Sequence, residues 1–168
     1  MSLLRSPHRI ITLLLTLTAL GYTARSQERA LQTAELTRQA DLVVVGRVAE
    51  IRSSWNNERT RIQTAVTVAI DQSLKGVAGS GSVTILAPGG EVDGIGEYYS
   101  HTARFAKDEN VVVFARREPG GQLRVTGGEQ GKVAVRRDEA TGARMVAGDM
   151  TLDAFIARVK GVAVDVTE

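Results

Sequence analysis

Apolar and polar residues alternate most cleanly between residues 61 and 71, where Ile62, Thr64, Val66, Val68 and Ile70 fall on one side and Arg61, Gln63, Ala65, Thr67, Ala69 and Asp71 on the other. A period of two predicts a half-buried strand over about 61–72. The segment before it, about 42–51, opens with Leu42, Val43, Val44 and Val45. Those residues are apolar on both faces, which predicts a strand covered on both sides. Shorter apolar runs predict strands at about 82–86, 110–116, 123–127 and 131–137. Glycine-rich turns separate them, at Gly76 to Gly81, at Pro119, Gly120 and Gly121, and at Gly127, Gly128 and Gly131. Several short strands with such turns argue for a sandwich or barrel.

The pattern changes at both ends. Residues 28–40 hold good helix formers with no Gly or Pro, which predicts a helix. Near the C-terminus, Leu152, Phe155, Ile156 and Val159 recur at i, i+3, i+4 and i+7, predicting an amphipathic helix over about 151–160. Thr151 suits its N-cap, Asp153 and Lys160 suit the two ends of its dipole, and Gly161 suits its end. Val162 to Glu168 fit a strand or a frayed end. Two long loops remain, one from Ser53 to Arg59 and one from Ala87 to about Thr102.

Residues 1–26 read as a secretory signal. Arg5, His8 and Arg9 make a positive start, Ile10 to Tyr22 is an uncharged apolar run, and Ala24 and Ser26 are small residues placed for a cut before Gln27. That run has 13 residues, whereas a membrane-spanning helix needs roughly 20, so an uncleaved anchor is the lesser alternative. With no Cys in the chain, lipid acylation of a cysteine is excluded. Cleavage removes three of the 21 Lys and Arg and none of the 19 Asp and Glu, which turns a net charge of +2 into −1. The charge argument for nucleic acid or an anionic membrane loses its basis. Residues 27–168 then form one domain, long enough to bury roughly two-thirds of its unfolded surface without disulfide staples.

The chemistry-bearing residues are sparse. His101 is the one histidine left after cleavage, too few for a triad or a His/Cys zinc site. In the stretch Gly127 to Lys132, Val133 stands where a phosphate loop needs Ser or Thr, so a tight turn is the better reading. Gly94, Ile95 and Gly96 miss the dinucleotide fingerprint because Tyr99 occupies the third glycine position. Glu91, Asp93 and Glu97 form either a solvated acidic loop or a weak calcium site. Arg116, Arg117, Arg136 and Arg137 make a basic patch if their strands are neighbours, and solvated strand ends otherwise. The sequence gives no ground for assigning a catalytic residue, a metal or a cofactor.

With aromatics at 4%, their placement carries information. Tyr98 and Tyr99 lie together in the second long loop and Trp55 in the first. Loop aromatics suit a recognition surface, because Tyr and Trp offer large contact area at low entropy cost. The competing reading has them plug a barrel end and cover a sheet edge. The candidate binding residues are Trp55, Tyr98 and Tyr99, with Arg59, Glu97, His101 and Arg104 setting polarity around them.

The run Ala40 to Val48, the strand leading to Leu74, Lys75 and Gly76, then Pro88-Gly89-Gly90, Phe105 before Asp108-Glu109, Val111 to Phe114 and Gly131-Lys132-Val133 resemble a family of small exported bacterial proteins of uncharacterised activity. More remotely, the pattern is similar to netrin-like domains, including tissue inhibitors of metalloproteinases, which are OB barrels. The hallmark cysteines of those inhibitors are missing, so zinc chelation by an N-terminal Cys is not implied. The expected fold is mainly β, an OB-like (Greek-key) barrel of about five to six strands with an N-terminal helix and a C-terminal amphipathic helix. The expected function is noncatalytic binding of an extracytoplasmic protein or polysaccharide, with nucleic acid disfavoured. The alternatives are an extracytoplasmic hydrolase using Glu91, Asp93 and Glu97, and a structural envelope component.

Overall fold

The computed structural model describes residues 32–76, 81–146 and 149–165. The leader expected at 1–26, the first residues of the helix expected at 28–40 and part of the Gly76–Gly81 turn lie outside the described residues. Helix α1 (residues 32–39) leads into β1 (Leu42–Trp55), β2 (Ile62–Lys75) and β3 (Ser82–Pro88). A small hairpin follows, β4 (Gly90–Val92) and β5 (Ile95–Glu97), and then β6 (Asn110–Arg117) and β7 (Leu123–Val125). A 3-10 turn (Gly128–Gly131), β8 (Lys132–Arg137), β9 (Arg144–Val146), β10 (Met150–Thr151) and α2 (Leu152–Asp165) complete the chain.

β1 is long enough to pair twice. It runs antiparallel to β2 over Val43–Trp55 and, on its other edge, to β6 over Leu42–Arg47. β3 pairs antiparallel with β2, β7 lies parallel to β3 at Ile85 and Leu123, and β7 returns antiparallel to β6. The ring β1-β2-β3-β7-β6 is thereby closed, an OB-like five-stranded barrel. One edge of β6 is shared, with β7 taking Ala115–Arg117 and β8 taking Asn110–Val113. β8 leaves the barrel there to pair with β9, and β9 with β10.

Alternation along the wall explains why the strands read as continuous apolar runs. Leu42 and Val44 of β1, with Val111, Val113 and Ala115 of β6, fill the barrel interior together with Val48, Val66, Val68, Ile85 and Leu123. The residues between them, Val43, Val45, Val112 and Phe114, point outward against Leu36 and Ala40, Val146 of β9, and Leu152, Phe155 and Val159 of α2. Both faces of the β1–β6 wall are therefore buried, which a period-two pattern cannot display. The Phe114 and Phe155 rings meet edge to face, 6.3 Å apart at 83°.

The Leu74-Lys75-Gly76 sequence has a structural role. Leu74 joins the outer core, and the Lys75 ammonium donates to the carbonyls of Thr37 (2.7 Å), Arg38 (3.3 Å) and Ala40 (2.7 Å). These carbonyls lie at the C-terminal end of α1, where orphan acceptors and the negative end of the dipole favour a cation. Lys75→Met keeps the stem and removes the donors, so it is expected to cost about 2 kcal/mol of stability. Urea unfolding followed by circular dichroism measures it, and an unchanged midpoint would show that the cap contributes nothing.

The structure revises several expectations. β1 continues through Ser53, Ser54 and Trp55, because each has a partner on β2, namely Thr64, Gln63 and Ile62. The long loop from Ala87 contains the β4–β5 hairpin, turned by Asp93 (φ 52°) and Gly94 (φ 77°), the positive-φ pair that two-residue hairpins favour. The basic patch does not form. Asn110 pairs with Val135, so Arg136 and Arg137 lie at the opposite end of β6 from Arg116 and Arg117, about 20 Å away along the strand. At the C-terminus, the Thr151 hydroxyl accepts the Ala154 amide at 3.3 Å as an N-cap. The helix runs through Gly161 to Asp165 because Val162 and Ala163 extend the partly buried face, and a glycine permits a stop without imposing one.

Candidate functional site

The site forms where the far half of the β1–β2 hairpin rises above the barrel core. There the register sets Ile51 against Val66 and Ser53 against Thr64, so these side chains line the inner face at one mouth of the barrel. The hairpin tip is held locally. Asn56 Oδ1 accepts the Thr60 and Arg61 amides at 2.8 and 3.0 Å, and the Asn56 amide donates to the Arg61 carbonyl at 2.7 Å.

β3 delivers the chain across this mouth at Pro88. The Gly89 amide donates to the Ile62 carbonyl at 2.8 Å, and the Thr64 hydroxyl donates to the Gly89 carbonyl at 2.6 Å. A threonine hydroxyl has one hydrogen, so the 2.9 Å contact between Ser53 Oγ and Thr64 Oγ1 is donated by Ser53. Gly90 lies so close that a Cβ would collide with both hydroxyls, and its φ of 134° is one that L side chains rarely adopt. Glycine is needed here to seat the β4–β5 hairpin on β1 and β2.

Glu97, at the end of β5, fastens that hairpin to the barrel. Its Oε1 accepts the Tyr99 hydroxyl at 2.6 Å and Arg61 Nη1 at 2.9 Å, and its Oε2 accepts the Ile62 amide at 2.6 Å. These donors, Tyr99 first, then Ile62 and Arg61, hold the carboxyl at about 2, well below its ordinary value of 4.5. The same hydrogen bonds raise the Tyr99 phenol and the Arg61 guanidinium. Because the folded value lies below the unfolded one, this stabilisation is complete above about pH 4.5 and is lost as the pH falls through about 2. Wild type is expected to lose thermal stability more steeply over that window than Glu97→Gln, as calorimetry against pH will show; parallel profiles would overturn the assignment.

The segment after Tyr99 closes the far wall. Ala103 is buried, Phe105 is half-buried against the barrel core, and the Arg104 guanidinium lies 5.9 Å from the centre of the Tyr98 ring. Lys132 holds this segment from behind, donating to Glu109 Oε1 at 2.6 Å and to the Arg104 carbonyl at 2.7 Å, with its ammonium 5.5 Å from the Phe105 ring centre. Glu109 Oε2 in turn accepts the Ala106 amide at 3.1 Å.

Between the walls lies an open cavity of about 260 Å³. Its lining is mostly apolar, from Ile51, Val66, Ala87, Pro88 and Phe105, with Ser53 and Thr64 on one side and Glu97, Tyr98, Tyr99 and Arg104 around the rim. Tyr98 is 70% exposed and Tyr99 37%.

Four of the candidate residues, Glu97, Tyr98, Tyr99 and Arg104, therefore meet at one cavity. Trp55 does not line it. It is the last residue of β1, half-buried opposite Ile62, rather than a loop residue. Arg59 is exposed in the hairpin turn at φ 54°, and His101 is exposed at φ 58°, where its carbonyl accepts the Glu129 amide at 3.1 Å. The three acidic residues are also apart in role: Glu91 pairs across from Gly96, Asp93 makes the turn, and Glu97 faces the barrel. Among the described residues no group of three His, Cys, Asp or Glu side chains could hold a metal ion. The residues that sequence reasoning missed are Arg61, Ser53, Thr64 and Phe105. Arg61 and Thr64 sat in the alternating strand pattern, which showed their faces without showing what crosses above them.

No described helix is long and apolar enough to cross a membrane. A comparison with protein-family models finds no match to this chain, and neither does a comparison with curated proteins.

Proposed function

We propose that the protein is an exported, noncatalytic binding domain whose barrel mouth takes up part of an extracytoplasmic protein or surface polymer. The observation that carries this reading is the open apolar cavity with an exposed Tyr98 and Arg104 side by side at its rim. Barrel mouths are frequent ligand sites, and a preformed apolar hollow with a few fixed polar groups is their usual character. Glu97 supports the noncatalytic side. A carboxylate held at about 2 and already accepting three hydrogen bonds is a poor proton carrier near neutral pH.

The test compares retention on the immobilised wild type, Tyr98→Ala, Arg104→Gln and Trp55→Ala proteins against purified envelope polysaccharides and secreted proteins. Tyr98 and Arg104 are exposed, so their replacement is expected to leave the fold intact, which circular dichroism of each variant checks. A component retained by wild type and Trp55→Ala but lost by the other two supports the mouth as the site. Equal retention by all four proteins would remove it. N-terminal sequencing of the mature protein tests export, with a start at Gln27 expected.

A further inference from the structure

We infer that the barrel mouth recognises a large apolar group that carries a carboxylate next to an acylated nitrogen, the chemistry of an N-acyl amino acid. This inference rests on the mouth being a binding site and adds what it selects. Three features define the ligand: the size of the hollow, the sign of its uncompensated charge and the direction of its polar edge.

The cavity volume is about 260 Å³. That lies between a cavity of about 150 Å³ that takes up benzene and the roughly 300 Å³ at which pockets for drug-sized ligands begin. One phenyl- or indole-sized group fits over Ile51, Val66, Ala87 and Phe105. A whole oligosaccharide or lipid does not.

Charge then fixes what hangs from that group. Two ionised side chains line the rim, Glu97 and Arg104. The Glu97 oxygens are occupied by Tyr99, Arg61 and the Ile62 amide. The Arg104 guanidinium lies 5.9 Å from the centre of the Tyr98 ring, and among the described residues no carboxylate pairs with it. Its planar fork of donors suits a carboxylate in two-point contact. The uncompensated charge at the mouth is therefore positive.

The polar wall has a direction too. The Thr64 hydrogen goes to the Gly89 carbonyl and the Ser53 hydrogen to Thr64, so Ser53 presents lone pairs to the cavity and has no hydrogen left to donate. A carboxylate is repelled from that wall and drawn to Arg104, whereas an N–H donor is welcome at Ser53. An apolar side chain flanked by an acylated N–H and a carboxylate meets all three demands. This chemistry occurs in free N-acyl amino acids and at the C-terminal residue of a polypeptide.

The experiment titrates N-acetylphenylalanine, N-acetylphenylalaninamide and a short peptide ending in Phe, as free acid and as amide, into the protein. The methyl NMR signals of Ile51 and Val66 report occupancy. The acids are expected to shift both signals, and each amide to bind at least about tenfold more weakly. Arg104→Gln should abolish the preference for acid over amide, and Arg104→Lys should restore part of it. The backbone anchor of residue 104 on Lys132 survives both substitutions. A peptide acid that binds more tightly than the acetylated amino acid identifies a polypeptide C-terminus as the source; equal affinities identify the free small molecule. Acid and amide binding equally would overturn the carboxylate inference and leave the mouth as an apolar site. If no probe moves Ile51 or Val66, the inference of an N-acyl amino acid falls, and the mouth as a binding site is decided by the retention experiment alone.

Discussion

Phe114→Ala is expected to destabilise the protein by about 4 kcal/mol, since truncating a buried phenyl ring removes its transfer free energy and leaves a void. Phe114 is fully buried on the outer face of β6 and packs edge to face on Phe155 of α2. It joins the barrel wall to the helix layer, in a cluster that also includes Leu152 and Val159. Against a typical stability of about 5–15 kcal/mol, the loss leaves the domain marginal. Urea unfolding monitored by near- and far-ultraviolet circular dichroism measures the effect. A shift worth less than about 1 kcal/mol would mean that the wall and α2 collapse together without needing that ring.

Lys132→Met is expected to have the next largest effect, about 3 kcal/mol, because it strands the Glu109 carboxylate in a largely buried site. The two side chains are 16% and 21% exposed, and their charges meet at 2.6 Å. The consequence reaches the mouth, since the same ammonium fixes the Arg104 carbonyl and lies over Phe105. Hydrogen exchange should therefore accelerate first across residues 104–109, with the β2 amides still protected, and any ligand at the mouth should bind more weakly. Uniform acceleration across the barrel would show that Lys132 stabilises the fold without specifically holding that wall.

How far these contacts were legible differs element by element. The alternating β2 pattern, the doubly apolar start of β1 and the stripe of α2 each announce their state, because burial on one face leaves a periodic trace and burial on both leaves a continuous apolar run. Ser53 and Ser54 leave no such trace. They are extended because Thr64 and Gln63 lie opposite, a fact of register. The β4–β5 hairpin did carry a local signal in Asp93-Gly94, overshadowed by the acidic residues around it. Among the site residues, Glu97 to Arg104 were readable as a group because they are neighbours in the chain. Arg61, Ser53 and Thr64 enter from other strands, and hydrogen bonds spanning 36 residues, as between Arg61 and Glu97, have no signature in either segment alone. Trp55 and His101, singled out by residue type, lie away from the cavity, Trp55 at the end of β1 opposite Ile62 and His101 at an exposed positive-φ position.

Closure of the barrel through β1 and β6 constrains when this chain can fold. The pairing of Arg47 with Asn110 spans 63 residues and that of Leu42 with Ala115 spans 73. Contacts so distant in sequence carry a high loop-closure cost and form late. Until β6 has been synthesised, one edge of the Leu42–Val45 run has no partner, and α2, which covers its outer face, comes later still. A nascent chain therefore stays open through most of its synthesis. If the chain is exported as proposed, this ordering keeps it open long enough to be threaded unfolded, and in any case it makes a truncation before Asn110 a sticky, aggregation-prone fragment rather than a smaller domain.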